Sequence, residues 1–137
     1  MAFFIMENYS FDRYAQKYDA WFLENTNVLY SEVKLVAHCL KEGGRILSIG
    51  CGSGLFEMIL EKAFGIIIKD GIEPSEDMAA IARKRGFSVE IGTAEDTDIE
   101  AGIYDIILYN GCPSYITNLE KTVNKSYTAL RKGGKIV

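Results

Sequence analysis

The apolar positions of this chain alternate between short continuous runs and helical stripes. Ile46 to Ile49 is a short run that ends in three alternating glycines, Gly50, Gly52 and Gly54. It predicts a strand, a tight turn and a helix start. Phe56, Ile59, Leu60, Ala63 and Phe64 then recur at spacings of three and four, the buried face of a helix that Gly65 ends. Ile66 to Ile72 reads as a second strand interrupted by Lys69-Asp70, and Phe87 to Ile91 as a third. Between them Ser75 offers an N-cap, Glu76 and Asp77 fill a first turn, and Arg83-Lys84-Arg85 a last turn before Gly86. Tyr104 to Tyr109 is nearly all apolar, as expected of a central strand covered on both faces. Leu119, Val123, Tyr127 and Leu130 stripe a further helix that Gly133-Gly134 is expected to stop, with Lys135-Ile136-Val137 opening a fifth strand.

Two helical patterns precede the first strand. After Tyr9, the residues Phe11, Tyr14, Tyr18, Trp21 and Phe22 set aromatics along one face, expected to pack on the core. Leu29, Val33, Val36, Ala37 and Leu40 form a second stripe, stopped by Gly43-Gly44. Alternating strands and helices with right-handed crossovers leave an α/β fold, a doubly wound, Rossmann-like, mostly parallel sheet of order 3-2-1-4-5 with helices on both faces. Residues 1–137 form one domain, with 1–42 as an N-terminal helical part and 43–137 as the sheet-bearing core.

In such a sheet ligands bind beyond the carboxyl ends of the strands. Gly50, Gly52 and Gly54 lie there, where bare backbone lets a ligand approach and the following helix aims unpaired N–H groups at it. The spacing is G-x-G-x-G. A dinucleotide fingerprint would need a glycine at Leu55, which counts against a nicotinamide-dependent oxidoreductase without removing it. Glu73 ends the second strand roughly twenty residues past the loop, where a carboxylate can accept both ribose hydroxyls.

Composition narrows the rest. At 137 residues, 48% hydrophobic and 25% charged with two prolines, the chain should fold as one packed globule. A net charge of -4 gives no general attraction for nucleic acid, and Arg83-Lys84-Arg85 suits the end of a helix dipole. Met1 to Met6 is too short to span a membrane and lacks a signal peptide's basic start, so a cytoplasmic protein is expected. Cys39, Cys51 and Cys112 lack metal-site spacing and are expected as reduced, partly buried thiols. His38, the chain's single histidine, lies off the second stripe and is expected to be structural or solvated.

"ILSIGCGSG" from Ile46, "GIEPSEDMAAIARKRG" from Gly71, "GTAED" from Gly92, and "YDIILYNG" running on to "ALRKGGKIV" together resemble the motifs of class I S-adenosylmethionine (SAM) dependent methyltransferases, in order. With the opening "YSFDRYAQKYDAWF" the resemblance covers nearly the whole chain and is closest to the quinone-biosynthesis branch. It implies a SAM cofactor cradled by Gly50, Cys51, Gly52 and Gly54, its ribose on Glu73, and its adenine near Pro74, Met78 and Ala94. Relatives often carry an aspartate where Thr93 stands, which leaves Glu95 or Asp96 to receive the adenine amine. The main chain at Asn110 meets the methionine end, and the aromatic segment becomes a lid with Tyr18 nearest the cofactor, where a ring face suits a sulfonium. A small-molecule methyl acceptor follows, with no residue assigned as general base. Family members run on through two more strands, so the chain is expected to be a truncated domain. A non-catalytic SAM-binding or interaction module is the remaining alternative.

Overall fold

In the computed structural model, residues 10–137 are described; Met1 to Met6 and Tyr9 lie outside them. Helices α1 (Ser10–Glu24) and α2 (Thr26–Cys39) lead into β1 (Ile46–Ile49), α3 (Leu55–Phe64), β2 (Asp70–Glu73), α4 (Glu76–Lys84) and β3 (Ser88–Ile91). Then β4 (Tyr104–Tyr109), α5 (Leu119–Ala129) and β5 (Leu130–Ile136) complete the chain. The sheet has the order β3-β2-β1-β4-β5, parallel throughout, as the sequence predicts. Among the described residues no helix is long and apolar enough to cross a membrane.

Strand side chains alternate between faces. Ile46, Ile106 and Leu108 therefore meet Leu29, Val33, Ala37 and Leu40 of α2 and Phe56 and Leu60 of α3. Leu47, Ile49 and Ile107 face the other way, toward Ile72, Ala94 and Ala129. The stripes predicted for α2 and α3 are the buried ones, apart from the exposed Ala63. Ser75 caps α4 by accepting the Met78 N–H, and Gly65 closes α3 at φ 68°.

Several elements depart from the sequence expectation. The β2 ladder begins only at Asp70; Ile66 to Lys69 runs without strand pairing, with Ile68 buried and Ile67 turned to solvent. On α1 the buried line is Ala15, Asp19 and Phe22, while Tyr14, Tyr18 and Trp21 stay exposed beside it. Phe22 alone of these rings reaches the core, edge-on to Phe56 at 5.1 Å. On α5 the expected stripe faces outward: Leu119, Val123 and Tyr127 are exposed, and Thr122, Ser126 and Ala129 turn inward. On β4, Tyr109 points its hydroxyl at Ser126 Oγ and the Thr122 carbonyl, which suits a hydroxyl at 126, while the Thr122 hydroxyl is buried without a hydrogen-bond partner among the described residues.

Gly133-Gly134 does not stop that helix. The helix ends at Ala129, and both glycines lie inside β5, where the register against β4 jumps between Tyr104 and Ile106. A Cβ on Gly134 would sit 3.0 Å from the Asp105 carbonyl and 2.9 Å from that of Arg131, so only a bare backbone passes this bulge. Leu130, expected on the helix, is the first residue of the strand.

Candidate functional site

The loop from β1 to α3 lies at the carboxyl ends of the strands. Gly50 and Cys51 donate their N–H groups to the Ile72 carbonyl at 2.8 and 3.1 Å, which fastens the loop to β2. Glu73, only 6% exposed, accepts the Gly52 N–H on Oε2 at 2.8 Å and the Ser75 N–H on Oε1 at 2.9 Å. One carboxylate thus ties the glycine loop to the start of α4. A Cβ on Gly52 would meet nothing within 4 Å, so the peptide here opens directly onto the cavity beside it.

That cavity is lined by Tyr18, Gly50, Cys51, Gly52, Glu73, Pro74, Met78, Ala94, Glu95 and Asn110, which come from six separate stretches of chain. Gly54, expected with them, does not line it. It caps α3 at φ 73°, and a Cβ there would press on the Phe87 ring at 2.7 Å, so its bareness serves packing. Glu95 borders the cavity but turns Oε1 toward the start of α5, accepting the N–H groups of Thr117 and Asn118 and the Thr117 hydroxyl. Burial opposes its ionisation, yet those hydrogen bonds hold its carboxyl below the usual range. Asp96 lies outside the cavity, paired with Lys121 at 3.2 Å. Thr93 lines it, with its hydroxyl on Asp96.

Other contributors have no motif to announce them. Glu57 on α3 and Glu32 on α2 line the cavity, so its carboxylates are Glu32, Glu57, Glu73 and Glu95. No described lysine, arginine or histidine lines it. Glu57 is 3% exposed and accepts the Ser48 hydroxyl at 2.7 Å. Burial pushes its carboxyl up to about 7, against the pull of that hydrogen bond. Burial likewise raises the Cys51 thiol and pushes Cys112 up to about 12, so both stay protonated and weakly nucleophilic at neutral pH. Cys39, expected partly buried, is exposed. Tyr18 is 38% exposed as a whole residue, yet desolvation where it lines the cavity and then the Glu32 carboxylate raise its phenol.

The N-terminal helix is fastened to the loop by a polar cluster. Ser53 donates its hydroxyl to Asp19 on α1, and Arg85 pairs with Asp19 at 2.7 Å while donating to the Ser53 carbonyl at 2.8 Å. Arg85 therefore has a structural partner, beyond the helix-dipole role its basic run suggests. Arg83 also turns back, donating to the Val89 carbonyl at 2.6 Å. "KYDAW" contains Asp19, but nothing in the local pattern pairs it with an arginine 66 positions later.

Comparison with known proteins places this geometry. An uncharacterized protein of Methanocaldococcus jannaschii is 37% identical over 127 residues, covering 93% of this chain and 58% of that protein. The ubiquinone biosynthesis O-methyltransferase of Agrobacterium fabrum is 32% identical over 104 residues, covering 72% of this chain and 41% of its own length. Among solved structures, a SAM-dependent methyltransferase of Thermotoga maritima, a possible histamine N-methyltransferase, superposes with a TM-score of 0.78 at 37% identity. The match covers 92% of this chain and 57% of the other, so the chain spans between 41% and 58% of the length of these relatives. Residues 47–137 match the methyltransferase domain. Because that match runs from β1 through β5 and takes in every strand that bounds the cavity, the chain belongs to the class I SAM-dependent methyltransferases.

Proposed function

We propose that this chain binds SAM in the cavity described above and directs its methyl group to a small-molecule acceptor by direct in-line displacement. The observation that carries the reading is the charge of the lining: four glutamates and no described basic side chain, around an open glycine loop. Such a site suits a cationic donor and disfavours a pyrophosphate. The relatives associated with ubiquinone biosynthesis and with possible histamine methylation support a small acceptor.

Bound SAM supplies a methyl group already activated on sulfonium sulfur. What the chain does is bind, orient and exclude water. Glu73 receives the ribose hydroxyls at the end of β2, where the Gly52 and Ser75 N–H groups orient its carboxylate. Pro74, Met78 and Ala94 flank the adenine, the open peptides of Gly50 to Gly52 carry the methionine end, and Asn110 borders the transfer direction. Tyr18 closes the cavity from α1, held in place by the Asp19–Arg85 pair and the Phe22 contact with Phe56. Neither cavity thiol is ionised at neutral pH and His38 lies on α2 away from the lining; no residue is assigned as a base, and the chain's part is to align donor and acceptor.

Calorimetric titration of the chain with SAM and, separately, with NADH tests the reading. Micromolar binding of SAM with no response to NADH is expected. Silence toward SAM from a folded chain overturns it, and NADH binding would reinstate a nicotinamide enzyme.

A further inference from the structure

Glu57 is the cavity group to which the function above gives no task. It stands on the first turn of α3, and alternation along β1 puts Ser48 on the same face of the sheet. The Ser48 hydroxyl satisfies Oε1, while the equally buried Oε2 has no hydrogen-bond partner among the described residues. A buried carboxylate oxygen left unpaired is costly, and a ligand that brings a donor removes the cost. The surroundings narrow that donor. Glu32 lines the same cavity, Tyr18 lies within the electrostatic reach of both Glu32 and Glu57, and no described basic side chain shares the lining. A neutral donor would leave the buried Glu57 carboxylate without a countercharge in this lining. A protonated amine brings three N–H donors and a positive charge.

We propose that Glu57, in the cavity that Glu32 also lines, forms a subsite for a primary ammonium group. The inference rests on the SAM reading above. Two molecules carry this chemistry into the cavity: the cofactor, through its α-ammonium, and an acceptor that is itself a primary alkylamine.

The experiment titrates the intact chain and its Glu57→Gln variant with three probes. They are S-adenosylhomocysteine, its analogue with hydrogen in place of the α-ammonium, and short primary alkylamines added to chain saturated with S-adenosylhomocysteine. Glutamine keeps the size and the Ser48 contact, and circular dichroism checks the fold. If the cofactor fills the subsite, the variant binds S-adenosylhomocysteine about tenfold or more weakly and the deamino analogue unchanged. If the acceptor fills it, the cofactor product binds both proteins equally, and alkylamine binding is lost in the variant.

Should the variant not fold, the wild-type chain still decides. Docking an ammonium on Glu57 expels the proton that burial favours there, so affinity for the ammonium-bearing probe rises between about pH 6 and about pH 8 with proton release. The other titratable or charged groups near Glu57 are Glu73, Arg85, Tyr18, Cys51 and Cys112. The phenol and both thiols are shifted upward, away from that window. Equal affinity for S-adenosylhomocysteine and its deamino analogue, with no alkylamine binding, overturns the subsite and leaves the cofactor reading standing. No binding of S-adenosylhomocysteine at all overturns both.

Discussion

Helices α3 and α5 both cross over between parallel strands, and both carry apolar residues at helical spacing, yet they treat those residues in opposite ways. On α3 the residues Phe56, Ile59, Leu60 and Phe64 pack into the core against α2 and β1. On α5 the residues Leu119, Val123 and Tyr127 face solvent, and Thr122, Ser126 and Ala129 meet the sheet. Periodicity announces a helix, but the neighbour decides which face is covered. Against α3 lie Ile46, Ile106 and Leu108, which only apolar side chains complement. Against α5 lies the Tyr109 hydroxyl, which needs a polar partner. The difference has a functional side as well: α3 brings Glu57 into the cavity lining, whereas no described residue of α5 lines it and the helix reaches it through Glu95, which contacts the turn before α5 and accepts on its carbonyl from Lys125.

Four substitutions break or sharpen that contrast. Leu60→Ala on α3 removes a side chain that is 1% exposed and should cost about 3 kcal/mol in chemical denaturation. A cost below about 1 kcal/mol would mean that α3 is not packed as described. Asp19→Ala leaves Arg85 without its buried partner and should cost about the same, roughly 3 kcal/mol, with hydrogen exchange rising along α1. If α1 keeps its protection, the polar cluster is not what fastens it to the loop.

Glu73→Ala should weaken SAM binding by about 1.5 to 3 kcal/mol, roughly ten- to a hundredfold in calorimetry. An unchanged dissociation constant would take Glu73 out of the site. Tyr127→Ala on α5 completes the series with the smallest effect, under about 0.5 kcal/mol, because its ring is 79% exposed. A loss comparable with Leu60→Ala would show that the exposed stripe is covered in solution.

Much of the site is legible from local pattern. The glycine spacing, the acid at the end of β2 and the Ser75 cap each follow from short-range rules, and parallel winding brings their strand ends together. The residues that escape are paired across the chain. Asp19 and Arg85 look like a surface acid and a helix-end cation until tertiary contact joins them. Glu57 reads as an ordinary first-turn acid, and only the cavity wall and Ser48 make it a buried carboxylate with an oxygen to spare. Gly54 shows the reverse: its spacing groups it with the cradle, and the nearby Phe87 ring assigns it to packing.

The sequence by itself determined the order of strands and helices, the parallel sheet, and the position of the glycine loop at the carboxyl ends of the strands. Those depend on periodicity, caps and chirality, which act over a few residues. Tertiary structure alone decided which face of α5 is buried, that Gly133-Gly134 bulges a strand instead of ending a helix, and which carboxylates share the cavity. Those depend on which distant backbone or side chain stands opposite, and no local pattern carries that information.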